Sequence, residues 1–180
     1  MTCIAAVAVD GHVVMGGDAA GIDERLDIAA GTEPKVWAAG PLLFGACGSF
    51  RVAQLLRWHL TIPVPDPAVN AFEYLTGPLV NAMRETLAIG GALTTWQEDN
   101  TEALTESGFL VGFDGRVFEV YGDFGVGEPI GGYASVGCGS PYALGALAAT
   151  INLAPRRRVL LALEAAERLG QEHVAPVGVH

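Results

Sequence analysis

The chain has 180 residues, 51% of them hydrophobic, which matches the size and apolar content of one domain with its own core. Its 20 acidic and 10 basic residues give a formal charge of −10, the wrong sign for a nucleic-acid or anionic-membrane surface. No apolar run is long enough to span a bilayer and the N-terminus lacks the charged flank and cleavage site of a secretory signal, so one cytoplasmic domain over residues 1–180 is expected.

Thr2 stands directly behind Met1. If Met1 is removed, Thr2 carries a hydroxyl and a free α-amine, a complete nucleophile and base on one residue, because an α-amine titrates near about pH 8. Ile4, Ala6 and Ala8 then alternate with Ala5, Val7 and Val9, and since both sets are apolar the predicted strand is covered on both faces. Asp10-Gly11 is a two-residue turn signal, and His12 to Met15 returns as the partner strand. That return brings Gly16-Gly17-Asp18 beside the start of the first strand and sets a carboxylate near the amino terminus.

Ser49 is a helix cap for a helix running through Leu60, with Phe50, Ala53, Leu56 and Leu60 on one stripe beside Val52 and Leu55. Asp66-Pro67 reads as the next helix start, and Phe72, Leu75, Leu79, Met83 and Leu87 recur at helical spacing until Gly90-Gly91. Gly77-Pro78 is expected to kink or split that helix. A second hairpin, Phe109 to Phe113 and Arg116 to Tyr121 around Asp114-Gly115, echoes the first. A strand at Tyr133 to Val136, helices at Pro141 to about Leu153 and Pro155 to Leu169, and a short strand at His173 to Val177 complete the layout. Arg156 to Arg158 sit at a helix start, where the dipole disfavours cations, which suggests a subunit contact.

Cys3, Cys47 and Cys138 are too scattered for a disulfide framework and lack metal-ligand spacing, so no metal or other cofactor is expected and they read as small buried residues. The glycine-rich GCGSPYALGA segment invites a phosphate-binding interpretation. It fails on residues, since a dinucleotide fingerprint needs glycine where Tyr142 stands, and no GK[ST] sequence exists for a P-loop.

The ordered set of Thr2, the turn and strand at Asp10 to Val14, Gly16 to Asp18, Pro34 to Val36, Gly45 to Ser49 and Val136 to Leu147 resembles proteasome β-subunits, most closely the HslV type of N-terminal-nucleophile hydrolase. The resemblance implies an α+β fold, a four-layer αββα sandwich of two antiparallel sheets. It implies a threonine-type endopeptidase inside a ring of identical subunits, acting on unfolded polypeptide or peptides and fed by an ATP-dependent unfoldase. By the same resemblance Thr2 is the nucleophile. Lys35, its charge held by Asp18, lowers the pKa of the amine and stabilises charge on the hydroxyl oxygen. Gly48 offers its N–H to the oxyanion, and Ala46 lines a roomy apolar substrate pocket.

Two departures stand out. Cys138 occupies a position where the family commonly has a serine bonded near the nucleophile, and a thiol is a weak donor. Gly170 and His173 fall where the family carries an Asp and then a Ser. Two other readings therefore stay open: a catalytically silent ring subunit, and a non-proteolytic amidohydrolase or transpeptidase of the same fold, with Cys3 exposed by further trimming.

Overall fold

The computed structural model describes residues 2–18, 20–22, 28–30, 34–95, 102–103 and 107–172. Strands β1 (Ile4–Val9) and β2 (His12–Gly17) form the first hairpin, followed by the small pair β3 (Ala20–Ile22) and β4 (Ile28–Ala30). Next come β5 (Val36–Ala39), β6 (Leu42–Cys47) and helix α1 (Phe50–His59). A long helix then runs as α2 (Ala71–Tyr74), a π-helical turn over Leu75–Leu79, and α3 (Val80–Ile89). After the short pair β7 (Thr94–Thr95) and β8 (Glu102–Ala103), strands β9 (Gly108–Phe113), β10 (Arg116–Val120), β11 (Val126–Gly127) and β12 (Tyr133–Val136) lead into α4 (Ser140–Ala149) and α5 (Pro155–Glu172).

The strands make two larger antiparallel sheets, ordered β12-β1-β2 and β11-β10-β9-β6-β5. Burial explains how they stack. In β1, Ala5 and Val7 join Cys3 in packing on Val159, Ala162 and Ala166 of α5, while Ile4 and Ala6 face Leu110 and Val117 of the other sheet. In β9, Phe109 and Val111 face the long helix and α1 instead, with Leu110 turned to the layer between the sheets. Period-two alternation thus sends each central strand's side chains into two different cores, and the result is the helix, sheet, sheet, helix order expected. Each wholly buried side chain such as Phe109, Phe118 or Leu87 contributes about 1.5–3 kcal/mol.

The two sequence echoes are stacked hairpin turns. Asp10 and Gly11 have φ of 52° and 73°, Asp114 and Gly115 50° and 68°, the paired positive values of a type I′ turn. A Cβ on Gly115 would lie 2.6 Å from backbone atoms of Gly11, whereas one on Gly11 would meet nothing within 4 Å. Gly11→Ala should therefore incur only the left-handed backbone penalty, about 1–2 kcal/mol. Gly115→Ala adds a clash that backbone cannot relieve and should cost at least about 1 kcal/mol more by urea denaturation. Equal losses would mean that the turns do not pack.

Several sequence expectations are corrected. Asp66-Pro67 does not start the long helix: the Asp66 carboxylate accepts from Ala68 N at 2.9 Å in a local turn, and Asn70 is the cap, accepting from Glu73 N at 2.9 Å. At Pro78 the expected break takes the form of the π turn over Leu75–Leu79 between α2 and α3, which absorbs the missing N–H while the chain stays helical. Ser49 caps α1, accepting from Val52 N, but Phe50 is 56% exposed and the buried face is Val52, Leu55 and Leu56. Phe72 is likewise exposed. Helix α4 stops at Ala149, where Thr150 turns its hydroxyl back onto Ala146 O, and α5 continues three residues past Leu169. Arg158 is no surface contact. It is 3% exposed, donates to Leu147 O at 3.0 Å and lies over the Tyr133 ring, joining α5 to α4 and β12. The strand expected at residues 173–177 lies outside the described residues.

Candidate active site

Hairpin register brings the polar groups together. Ile4 pairs with Gly17, so Asp18 emerges one step beyond, beside Cys3. Asp18 N donates to Cys3 O at 3.1 Å and Cys3 N donates back to the Asp18 carboxylate. These bonds fix that carboxylate at the end of β1, next to residue 2. Lys35 arrives from the other sheet: its carbonyl accepts from Ala46 N at 3.0 Å, which extends the β5-β6 ladder by one rung and anchors its backbone.

The Lys35 ammonium donates to Thr2 Oγ1 at 2.9 Å and to Asp18 Oδ1 at 2.5 Å. Its side chain is only 9% exposed, against 28% for Asp18. An ammonium shielded in this way acts at lower effective dielectric than a surface lysine, and it is held by a carboxylate on one side while touching a hydroxyl on the other. An ammonium so placed can stabilise negative charge on Thr2 Oγ1.

Thr2 is gripped at its backbone too. Its N donates to Cys138 Sγ at 3.2 Å, and its carbonyl accepts from Gly139 N at 3.2 Å and from the Cys138 thiol at 3.6 Å. Gly137, at φ 99°, lies so close to the Thr2 carbonyl that any Cβ would collide with it. The glycine-rich turn between β12 and α4 thus serves close approach to residue 2. Gly137 and Gly139 were not distinguished by sequence reasoning within that motif, although the excess of glycine was the signal.

Of the residues expected to act together, the structure joins Thr2, Asp18, Lys35 and Cys138 by direct bonds. Gly48 is exposed at the end of β6 with φ 95°, just ahead of the Ser49 cap of α1. Ala46 is 4% exposed and belongs to the core between the larger sheet and its helices. His173 falls outside the described residues.

The cysteines do not share one environment. Cys3 is buried, but Cys47 is half-buried and Cys138 exposed, which corrects the uniform expectation. Burial pushes the Cys3 and Cys47 thiols above their ordinary pKa, so the reactive thiolate is disfavoured at both. Ser135, not anticipated from sequence, donates to Ile4 O at 2.7 Å and lies 3.6 Å from Cys3 Sγ, tying β12 to β1 beneath the site. Among the described residues no cluster of three potential metal ligands occurs, and no helix is long and apolar enough to cross a membrane.

Several solved structures are similar to this chain. One is BPH from Thiobacillus denitrificans in complex with epoxomicin, with a TM-score of 0.72 at 19% identity, covering 91% of this chain and 88% of that one. Another is HslV from Trypanosoma brucei, at a TM-score of 0.64 and 20% identity, covering 93% of this chain and 91% of that one. Anbu from Yersinia bercovieri has a TM-score of 0.61 at 16% identity, covering 93% and 75% respectively. These are proteasome-like N-terminal-nucleophile hydrolases, and the two-sheet sandwich of this chain has their fold. No protein-family model and no curated protein matches the sequence.

Proposed function

We propose that this chain, which has the fold of proteasome-like N-terminal-nucleophile hydrolases, is a threonine-type endopeptidase with Thr2 as its nucleophile. The observation that carries the proposal is the Lys35 ammonium, 2.9 Å from Thr2 Oγ1 and held by Asp18. Before Met1 is removed Thr2 N is a peptide nitrogen with no basic lone pair, so excision of Met1 is part of the proposal.

In the proposed reaction the Thr2 amine takes the hydroxyl proton while Oγ1 attacks the scissile carbonyl. Lys35 stabilises charge on Oγ1, and the Gly48 N–H receives the oxyanion, a contact typically worth about 3–4 kcal/mol in the transition state. The amine then gives its proton to the leaving nitrogen. Water, deprotonated by the same amine, cleaves the Thr2 ester and restores the hydroxyl. Ala46 forms the floor of the pocket for the side chain preceding the cleaved bond. Cysteine chemistry at position 3 is disfavoured, since the Cys3 thiol is buried against α5 and its pKa is raised.

Intact mass of the purified protein, before and after a threonine-directed β-lactone, tests this reading. Loss of Met1 followed by one adduct per chain supports it, and epoxomicin, the ligand of the similar BPH complex, serves as a second probe. A processed Thr2 that reacts with neither favours the silent ring subunit.

Identical subunits in a ring are part of the same proposal, with unfolded polypeptide delivered by an ATP-dependent unfoldase. Exposed apolar side chains supply material for such contacts: Trp58 and Ile89 on the α1/α3 side, Ile130 and Ile151 elsewhere. Sedimentation velocity at micromolar concentration should show a closed oligomer. A pure monomer would overturn the ring.

A further inference from the structure

A cleft of about 420 Å³ lies at the end of the two sheets where the β12–α4 turn holds Thr2. Cys47 lines it from β6 and Ser107 from just ahead of β9, Glu119 and Tyr121 from β10 and its exit, Cys138 from the turn and Ser140 from the start of α4. Cys138 is therefore a wall of this cleft and also the partner of Thr2 N.

That shared residue gives the cleft a direction in the reaction. The proton taken from Oγ1 must be delivered to the leaving nitrogen by the Thr2 amine, so the leaving half of the substrate has to lie on the amine's side. Thr2 N faces Cys138, whereas Oγ1 is held by Lys35. The cleft behind Cys138 is the space on that side.

Its chemistry is one-signed. Among the described residues the lining carries one carboxylate, Glu119, and no cation. Among the described residues Glu119 has no ion-pair or side-chain hydrogen-bond partner. Partial burial pushes its carboxyl pKa up. A bound cation would supply the missing partner.

We propose that this cleft receives the leaving half of the substrate and that Glu119 selects lysine or arginine at the residue following the scissile bond. The proposal rests on the peptidase reading for its direction, and on the cleft's composition for its selectivity. A charge-assisted hydrogen bond in a half-buried site corresponds to a preference of about tenfold. An acidic side chain meets a like charge and is disfavoured.

Internally quenched peptides differing only in Arg, norleucine or Glu after the scissile bond test this on the processed oligomer. The Arg peptide should show about tenfold higher kcat/KM than the norleucine peptide, with the Glu peptide slowest. Glu119→Gln, nearly isosteric, should abolish the Arg preference. Cleavage with no such preference, or a preference that survives Glu119→Gln, overturns the proposal while leaving the peptidase reading intact. A second measurement needs no turnover: Thr2→Ala protein is titrated calorimetrically with Arg-Ala amide and norleucine-Ala amide. Tighter binding of the Arg dipeptide that is lost on adding Glu119→Gln supports the cleft's selectivity even if no peptide is cut, an outcome that would count against the peptidase reading alone. Equal binding of the two overturns it.

Discussion

Lys35→Ala is expected to lower peptide hydrolysis by at least about two orders of magnitude, the scale typical of a lost electrostatic partner of a reacting atom. The ammonium touches Thr2 Oγ1 at 2.9 Å and, at 9% exposure, water replaces it poorly. The fold should survive. Asp18 is 28% exposed and keeps Cys3 N as a donor, so its carboxylate is not stranded in an apolar interior. Circular dichroism and the sedimentation profile should therefore match the parent protein while kcat/KM falls. Lys35→Arg should not rescue, because the planar guanidinium cannot put one compact charge between Asp18 Oδ1 and Thr2 Oγ1. Undiminished turnover in Lys35→Ala would reduce Lys35 to a structural tie between the sheets.

Thr2→Ala should abolish both β-lactone modification and peptide cleavage, a loss limited only by the assay background. Among the described residues the side chain makes one hydrogen bond, to Lys35, and the backbone grips by Cys138 and Gly139 do not involve it, so the site should otherwise stay assembled. Thr2→Ser keeps hydroxyl and amine and should retain measurable activity. Protein that keeps Met1 has a peptide nitrogen in place of the amine and should be inert. Turnover by Thr2→Ala, or by protein shown by mass to retain Met1, would refute the threonine-peptidase proposal.

Local pattern was most legible where one rule acted alone. The Asp-Gly dipeptides identified both hairpins, because only residues tolerating positive φ fit a type I′ turn. The Tyr133–Val136 strand and the Ser49 cap also match. Boundaries slipped where two local rules competed. Asp66 satisfies a turn instead of a helix, and Thr150 ends α4 early by bonding back to Ala146. Strands β5 and β6 carried no separable signal, since a short apolar run interrupted by Gly40-Pro41 reads equally as a buried helix segment.

The sequence by itself determined that residue 2 carries a hydroxyl beside a potential free amine, and that a two-residue turn must return Asp18 to it, because register in a tight hairpin follows from loop length. Only the tertiary structure decided which cation reaches that hydroxyl. Lys35 stands in the other sheet, and its approach depends on the Ala46–Lys35 backbone bond and on the packing of Ile4 and Ala6 against the facing strands, contacts that no local periodicity encodes. The same holds for Arg158, expected from the sequence at a subunit contact, and for Glu119, which no sequence pattern singles out. Burial is a property of what packs against a residue, so one is a buried strut between helices and the other the sole carboxylate lining a cleft among the described residues.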